Sequence, residues 1–293
     1  MPSEPMSRRR ALGVLGAAGA GVAGLVAAAR NLGNPAPRAQ VADGTLREVE
    51  QYGDLPRQKG EWWLPPGAGT GRLPTVVLVH GGYWRNSFDL SLEDAVAADL
   101  AARGFLVWNI DYRPSNDPWP ATFLDAAAGY DHLSSGRYAS RVDPDRVSVV
   151  GHSAGGHLAL WLASRERLPD DAPGAGGGGP RSAVVVGQAP VAALADGARL
   201  GLGGGAVQAL LGGEPDEVPE RYAVGDPLAL LPIDVATTCI HAGGDDLVPI
   251  SQSETYVAEA GSEAKLVTFA GGHFEHLDPA SEACAQMRAA LSR

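Results

Sequence analysis

The chain reads as an α/β protein with a mostly parallel central sheet covered by helices on both faces. Three observations carry this reading. Runs that are apolar at every position, such as Val76-Val77-Leu78-Val79, recur along the sequence, and continuous apolarity marks strands buried on both sides. Alanine-rich stretches of helical length lie between them, the alternation that builds a parallel sheet. One run, Val147-Ser148-Val149-Val150, ends at Gly151 and passes directly into an apolar helical pattern from Ala154, which requires a very tight strand-to-helix turn.

The elements follow in order. Residues 45–52 and 58–64 read as edge strands joined by a turn around Gly53 to Pro56. The run 75–80 opens the buried series. Helix 92–103 stops at Gly104, a residue suited to the left-handed position after a helix. Strand 105–112, helix 120–134, strand 146–151 and helix 154–165 come next. Residues 169–180 include Gly176-Gly177-Gly178-Gly179 but lack the Lys-Ser/Thr of a phosphate loop, so they read as a surface connection. Strand 183–188 resumes the alternation. Residues 190–232 then break it, with short helical pieces around 207–211 and 219–224, and an irregular insertion of that size commonly shapes the mouth of a site. Strand 237–241, helix 251–260, strand 264–269 and helix 280–291 complete the pattern. No internal repeat is visible.

A 293-residue chain with 45% hydrophobic content can bury one large core, assigned to residues 45–293. The formal charge is −11, and the first thirty residues carry four arginines and one glutamate, so the remainder is more acidic still. Such a surface argues against nucleic acid or anionic membrane as a partner. The amino terminus stands apart. Ser7-Arg8-Arg9-Arg10 precedes an uncharged stretch, 11–29, interrupted by five glycines, Gly13, Gly16, Gly19, Gly21 and Gly24. This resembles a twin-arginine export signal, so residues 1–30 are read as a signal, residues 31–44 as a tether, and the protein as exported to the periplasm or outside. A cleaved signal is favoured; an uncleaved one would leave the protein tethered to a membrane. Oligomeric state is not legible. The two cysteines, Cys239 and Cys284, permit one disulfide in an exported chain, although isolated packing as small apolar groups is favoured. They do not have the spacing of a zinc site, and no metal or organic cofactor is expected.

The turn Gly151-His152-Ser153-Ala154-Gly155 carries the chemistry. Small residues two before and two after Ser153 allow neighbouring chains to approach and raise its hydroxyl on the turn, so Ser153 is read as a nucleophile rather than as a helix cap. A serine nucleophile needs a histidine base, and the histidine needs a carboxylate. In a parallel sheet the loops after successive strands meet at one edge. After strand 237–241 comes Ala242-Gly243-Gly244-Asp245-Asp246-Leu247-Val248-Pro249; after strand 264–269 comes Ala270-Gly271-Gly272-His273-Phe274-Glu275-His276. The order Ser, acid, His is that of the α/β-hydrolases. Asp245 is preferred over Asp246, because the run from His241 to Pro249 resembles the acid loop of serine hydrolases related to prolyl oligopeptidases. His273 is preferred over His276, because it directly follows two glycines. His152 is read as the variable residue of the turn, His157 as helical, His241 as strand-terminal and His132 as lying on a helix surface. Backbone N–H donors for a developing oxyanion are expected from Ala154, at the start of a helix, and from Gly82 and Tyr83 in the loop after strand 75–80. Trp84, Trp108 and Trp119 are candidates for an aromatic pocket wall, with a core role as good a reading for Trp108.

His80-Gly81-Gly82-Tyr83-Trp84 matches the His-Gly-Gly-x-Trp motif of kynurenine formamidase (arylformamidase)-like α/β-hydrolases, near the hormone-sensitive-lipase-like esterases, whose loop is usually His-Gly-Gly-Gly. The chain resembles this family from about residue 59 onward, through Asn109-x-Asp111-Tyr112-Arg113, Ser153, Asp245 and His273. The resemblance implies an α/β-hydrolase fold and a serine hydrolase that cleaves carboxylic esters or N-formyl and aryl amides, small-molecule substrates, through an acyl-enzyme without metal or organic cofactor. Strict arylformamidase, peptidase or acyltransferase activity are the alternatives, and a non-catalytic binding module is the most distant one.

Overall fold

A computed structural model describes residues 44–292 of the 293-residue chain. The segment read as an export signal, and all but the last residue of the tether, lie outside these. Eight strands form one sheet in the order β1-β2-β4-β3-β5-β6-β7-β8. β1 (Leu46–Gln51) and β2 (Lys59–Leu64) make an antiparallel pair, and β2 runs antiparallel to β4 (Leu106–Ile110). From β4 onward the sheet is parallel, through β3 (Leu73–Val79), β5 (Val142–His152), β6 (Val184–Gln188), β7 (Ala236–Ala242) and β8 (Ala264–Phe269). The expected α/β fold with a mostly parallel sheet is therefore present. β5 starts at Val142 rather than at 146: buried Val142 pairs with Leu73, and exposed residues 144–146 lie in the register shift that brings Thr75 opposite Val147.

Helices cover both faces because alternate strand residues are apolar on both sides. On one face α1 (Asp94–Ala102) and α8 (Glu282–Leu291) share a core with Val76, Leu78, Val150, Val186, Ile240 and Phe269. On the other lies α3 (Ala154–Ala163), buried along its whole length. α2 (Ala121–Asp131) packs beside it through Phe123, whose ring meets Trp161 edge-on at 4.9 Å. α7 (Ser251–Ala260) lies against the last two strands. The irregular stretch 190–232 contains three short helices: α4 (Leu194–Arg199), α5 (Ala206–Leu211) and α6 (Pro219–Gly225). α4 was not expected, since Asp196 and Gly197 within it are weak helix formers. Left-handed Gly205 and Gly212 bracket α5 and stop it at six residues. Cys239 and Cys284 are both buried and unbridged, and the Cys284 thiol donates to the His276 carbonyl at 3.1 Å.

One buried acid sits in the frame of the fold. Glu93 precedes α1, is 1% exposed, and its Oε1 has no hydrogen-bond partner. The neighbouring Asp94 pairs with Arg47, which also binds Glu61, and no such cation reaches Glu93 among the described residues. Burial, and then the charge of Asp94, push the Glu93 carboxyl up to about 8. A folded value above the unfolded one, about 4.3, means that the native state favours the protonated form. That stabilisation is complete below the unfolded value and is lost as pH rises through 8. Glu93→Gln, a permanent mimic of the neutral acid, is expected to leave Tm nearly unchanged at pH 4 and to raise it increasingly up to pH 9. Thermal unfolding of both proteins across that range checks this, and a pH-independent difference would refute it.

Candidate active site

Ser153 sits where β5 turns into α3, at φ 59° and ψ −120°, a region that a side chain occupies only when its surroundings enforce it. The enforcement is visible. The Ser153 amide donates to the Gln188 carbonyl at 2.8 Å, and the Ser153 carbonyl accepts from the His157 amide at 3.1 Å. Glycines let three backbones meet here: a Cβ on Gly151 would overlap the Gly155 carbonyl, and one on Gly155 would overlap the carbonyls of Val79 and His80. The loop after β3 passes equally close, since a Cβ on Gly81 would stand 2.7 Å from the His152 oxygen and 3.1 Å from the Ser153 Cβ. Ser153 is 2% exposed.

The loops after β7 and β8 bring Asp245 and His273 together. His273 Nδ1 lies 2.7 Å from Asp245 Oδ2, with both side chains almost wholly buried. The other carboxylate oxygen, Oδ1, accepts from the amides of Leu247 and Val248 at 2.9 Å each. His241 Nε2 lies 3.4 Å from Oδ2 and 2.9 Å from the Val248 carbonyl. Burial alone would push the Asp245 carboxyl up, but hydrogen bonds from His241, His273 and Val248, with the charge of His273, outweigh it and hold Asp245 far below the usual carboxylate range. An ionised Asp245 can only accept, so His273 Nδ1 carries the proton and Nε2 is left as the basic nitrogen. His152, adjacent to Ser153, has its ring 4.6 Å from that of His273. No hydrogen bond joins Ser153 Oγ to His273 among the described residues, and such contacts often tighten only around bound substrate. Asp246 is exposed, whereas His276 is fully buried with both ring nitrogens unpartnered.

The loop after β3, where oxyanion donors are expected, has positive φ at three successive residues: Gly82, Tyr83 and Trp84 have φ of 109°, 52° and 53°. Only glycine takes such angles freely, so the two aromatic residues need outside restraint, and each has it. The Tyr83 hydroxyl donates to the Leu247 carbonyl at 2.7 Å. The Trp84 carbonyl accepts from the Ser115 amide at 2.7 Å, and its ring meets His157 edge-on at 5.2 Å. Arg85 reaches the Gly203 carbonyl. The amides of Gly82 and Tyr83 donate to no group among the described residues, and Ala154, first in α3, has no intrahelical acceptor. Three free N–H groups thus belong to the two segments that meet at Ser153.

Trp84 is 1% exposed and built into the wall between the loop and α3, while Trp119 is half-buried, edge-on to Phe123 at 4.8 Å. Trp108 is core: it stacks on Trp62 at 4.4 Å and donates to the Gly129 carbonyl. His132 is not a free surface group, since it stacks on Trp108 and approaches Glu50 at 3.2 Å. Sequence reasoning did not find that His241 and the amides of Leu247 and Val248 face Asp245, or that Tyr83 bonds the Leu247 carbonyl. His241 stands at the strand end four residues before Asp245, which was the available signal.

The family model described as BD-FAE matches residues 63–259. Esterase LipC of Mycobacterium tuberculosis (strain ATCC 25618 / H37Rv) is 32% identical over 111 residues, 37% of this chain and 27% of that protein. A probable isoprenylcysteine alpha-carbonyl methylesterase of Arabidopsis thaliana, ICMEL1, is 33% identical over 132 residues, 44% of this chain and 27% of that protein. The matches thus span about a quarter of each of these curated relatives, 27% in both. The crystal structure of an esterase B from Lactobacillus rhamnosis superposes with a TM-score of 0.76 at 20% identity, covering 93% of this chain and 94% of the other. The fold is that of the α/β-hydrolases.

The glycine contacts around Ser153 have a measurable consequence. Gly155→Ala must push β3 away from α3, so it is expected to cost about 3 kcal/mol or more, or to abolish soluble expression. Gly178→Ala, where a Cβ meets nothing, is expected to stay within about 0.5 kcal/mol of the parent. Equal stability of the two variants in urea unfolding would contradict the packing described.

Proposed function

The chain belongs to the BD-FAE family, and on that premise we propose that it is a serine esterase hydrolysing carboxylic esters of small molecules. The observation that carries this reading is the 2.7 Å hydrogen bond from His273 to buried Asp245, in the loops after β7 and β8, with the His273 ring packed on the neighbour of Ser153. The ester preference is supported by the two relatives described above, one an esterase and the other a probable methylesterase.

In this mechanism His273 Nε2 takes the Ser153 proton as Oγ attacks the carbonyl carbon. The negative charge that develops on the substrate oxygen is met by the amides of Gly82, Tyr83 and Ala154, donors of a kind individually worth a few kcal/mol. Asp245 stays ionised throughout and stabilises the imidazolium. His273 then passes the proton to the departing alcohol oxygen, leaving Ser153 acylated. Water, deprotonated by the same nitrogen, attacks the acyl carbon, and the proton passes to Ser153 Oγ as the acyl–Oγ bond breaks and the acid is released. Formamide cleavage runs by the same steps with an amine leaving, and His80-Gly81-Gly82-Tyr83-Trp84 favours it as the second reading. The twin-arginine pattern supports export of the enzyme.

Two measurements test this. A fluorophosphonate probe is expected to add its phosphonyl group to Ser153, read as a mass shift on the peptide carrying it. Ser153→Ala is expected to lose labelling and at least about 1000-fold in turnover of short acyl p-nitrophenyl esters; retained turnover would sink the assignment. In a panel of N-formyl arylamines against short and long acyl esters, run on protein lacking residues 1–30, higher kcat/KM for esters is expected. The reverse order would make the protein a formamidase.

A further inference from the structure

His152 does more than fill the variable position of the turn. It is the last residue of β5, and strand side chains alternate in direction. Gly151 faces α3, so His152 projects to the opposite face of the sheet, beneath the loop that follows β8. There its ring lies 4.6 Å from His273, 6.4 Å from Phe274 and 5.5 Å from His276. Its Nε2 is 2.9 Å from the His273 carbonyl oxygen. A carbonyl only accepts, so Nε2 carries the hydrogen. Burial, followed by the charges of His273 and His276, holds His152 well below the ordinary imidazole value against smaller opposing effects of its hydrogen bond to the His273 carbonyl and the charge of Asp245, which keeps the ring neutral.

At His273 itself the main chain has little else to fix it, although the loop is anchored further on by buried His276. Residues 271 and 272 are glycines, and among the described residues the backbone of His273 makes one hydrogen bond, the one from His152. The other restraint on His273 is on its side chain, from Asp245. A side chain held at one end only can pivot about that contact. A second point on its main chain fixes the direction of Nε2.

We propose that His152 is a positioning residue for His273, its Nε2–H pinning the His273 carbonyl so that the imidazole stays aligned between Asp245 and Ser153. The inference rests on the triad reading given above. It concerns alignment in the chemical step and not binding of substrate, so its signature lies in kcat rather than KM.

Two variants separate alignment from packing. His152→Leu keeps an apolar filling but removes the donor, whereas His152→Gln places an amide N–H at nearly the same reach as imidazole Nε2. With p-nitrophenyl acetate the leucine variant is expected to lose about 10- to 100-fold in kcat with KM changed by no more than about twofold, and the glutamine variant to recover to within about threefold of the parent. If His152→Leu yields no soluble protein, His152→Asn replaces it, since its shorter amide stops short of the carbonyl. A donor-lacking variant with kcat within about threefold of the parent, or glutamine as slow as leucine at equal loss of Tm, overturns the proposal. Ser153→Ala assayed alongside distinguishes the two levels: if that variant turns over, the triad reading itself has failed, and if it is inactive, the outcome at His152 judges this inference alone.

Discussion

The site depends on a contact in which no side chain has room. Gly151 and Gly155 meet backbone to backbone, and Gly155 lies against the carbonyls of Val79 and His80, so β3, β5 and α3 approach more closely than any alanine would allow. This draws the loop after β3 down beside Ser153, where the amides of Gly82, Tyr83 and Ala154 have no acceptor among the described residues. Interiors are packed to crystal-like density, and here that density is reached with main chain alone. The strained backbone of Ser153 is a product of the same crowding.

A second requirement comes from charge. Asp245 has no exposed side-chain surface, and a buried carboxylate is tolerable only if its oxygens are met by donors. Two amides of its own loop occupy Oδ1, while His273, with His241 beside it, faces Oδ2. Folding of the 245–248 turn and orientation of His273 are thus one event, because the same carboxylate organises both. His241 is held in turn by the Val248 carbonyl and the Ser253 hydroxyl, which carries the network from the loop into α7.

Much of the fold was legible because buried parallel strands advertise themselves as unbroken apolar runs, and the turn at Ser153 because only small residues fit its spacing. Chain order then pointed to the loops that hold Asp245 and His273. Less could be read where structure follows from partners distant in sequence. α4 forms across Asp196 and Gly197 against local propensity, where Ala195 N is bound by Asp226. The cross-loop hydrogen bond of Tyr83 spans 164 residues, and the link from His152 to His273 spans 121. Periodicity has no access to either. His132, read as a surface group, is placed by Trp108 and Glu50, both remote in the chain.

The Tyr83 hydroxyl, bound to the Leu247 carbonyl, fastens the loop after β3 to the loop after β7. These two loops are therefore mechanically coupled in this chain. A chain with glycine at position 83 gains backbone freedom but loses the fastening, and must find rigidity for that loop elsewhere. Conversely, lengthening the turn at 245–248 displaces the Leu247 carbonyl and disturbs a segment that no alignment of neighbouring residues would connect with it. Either loop placed in another chain without its counterpart would lack this hydrogen bond.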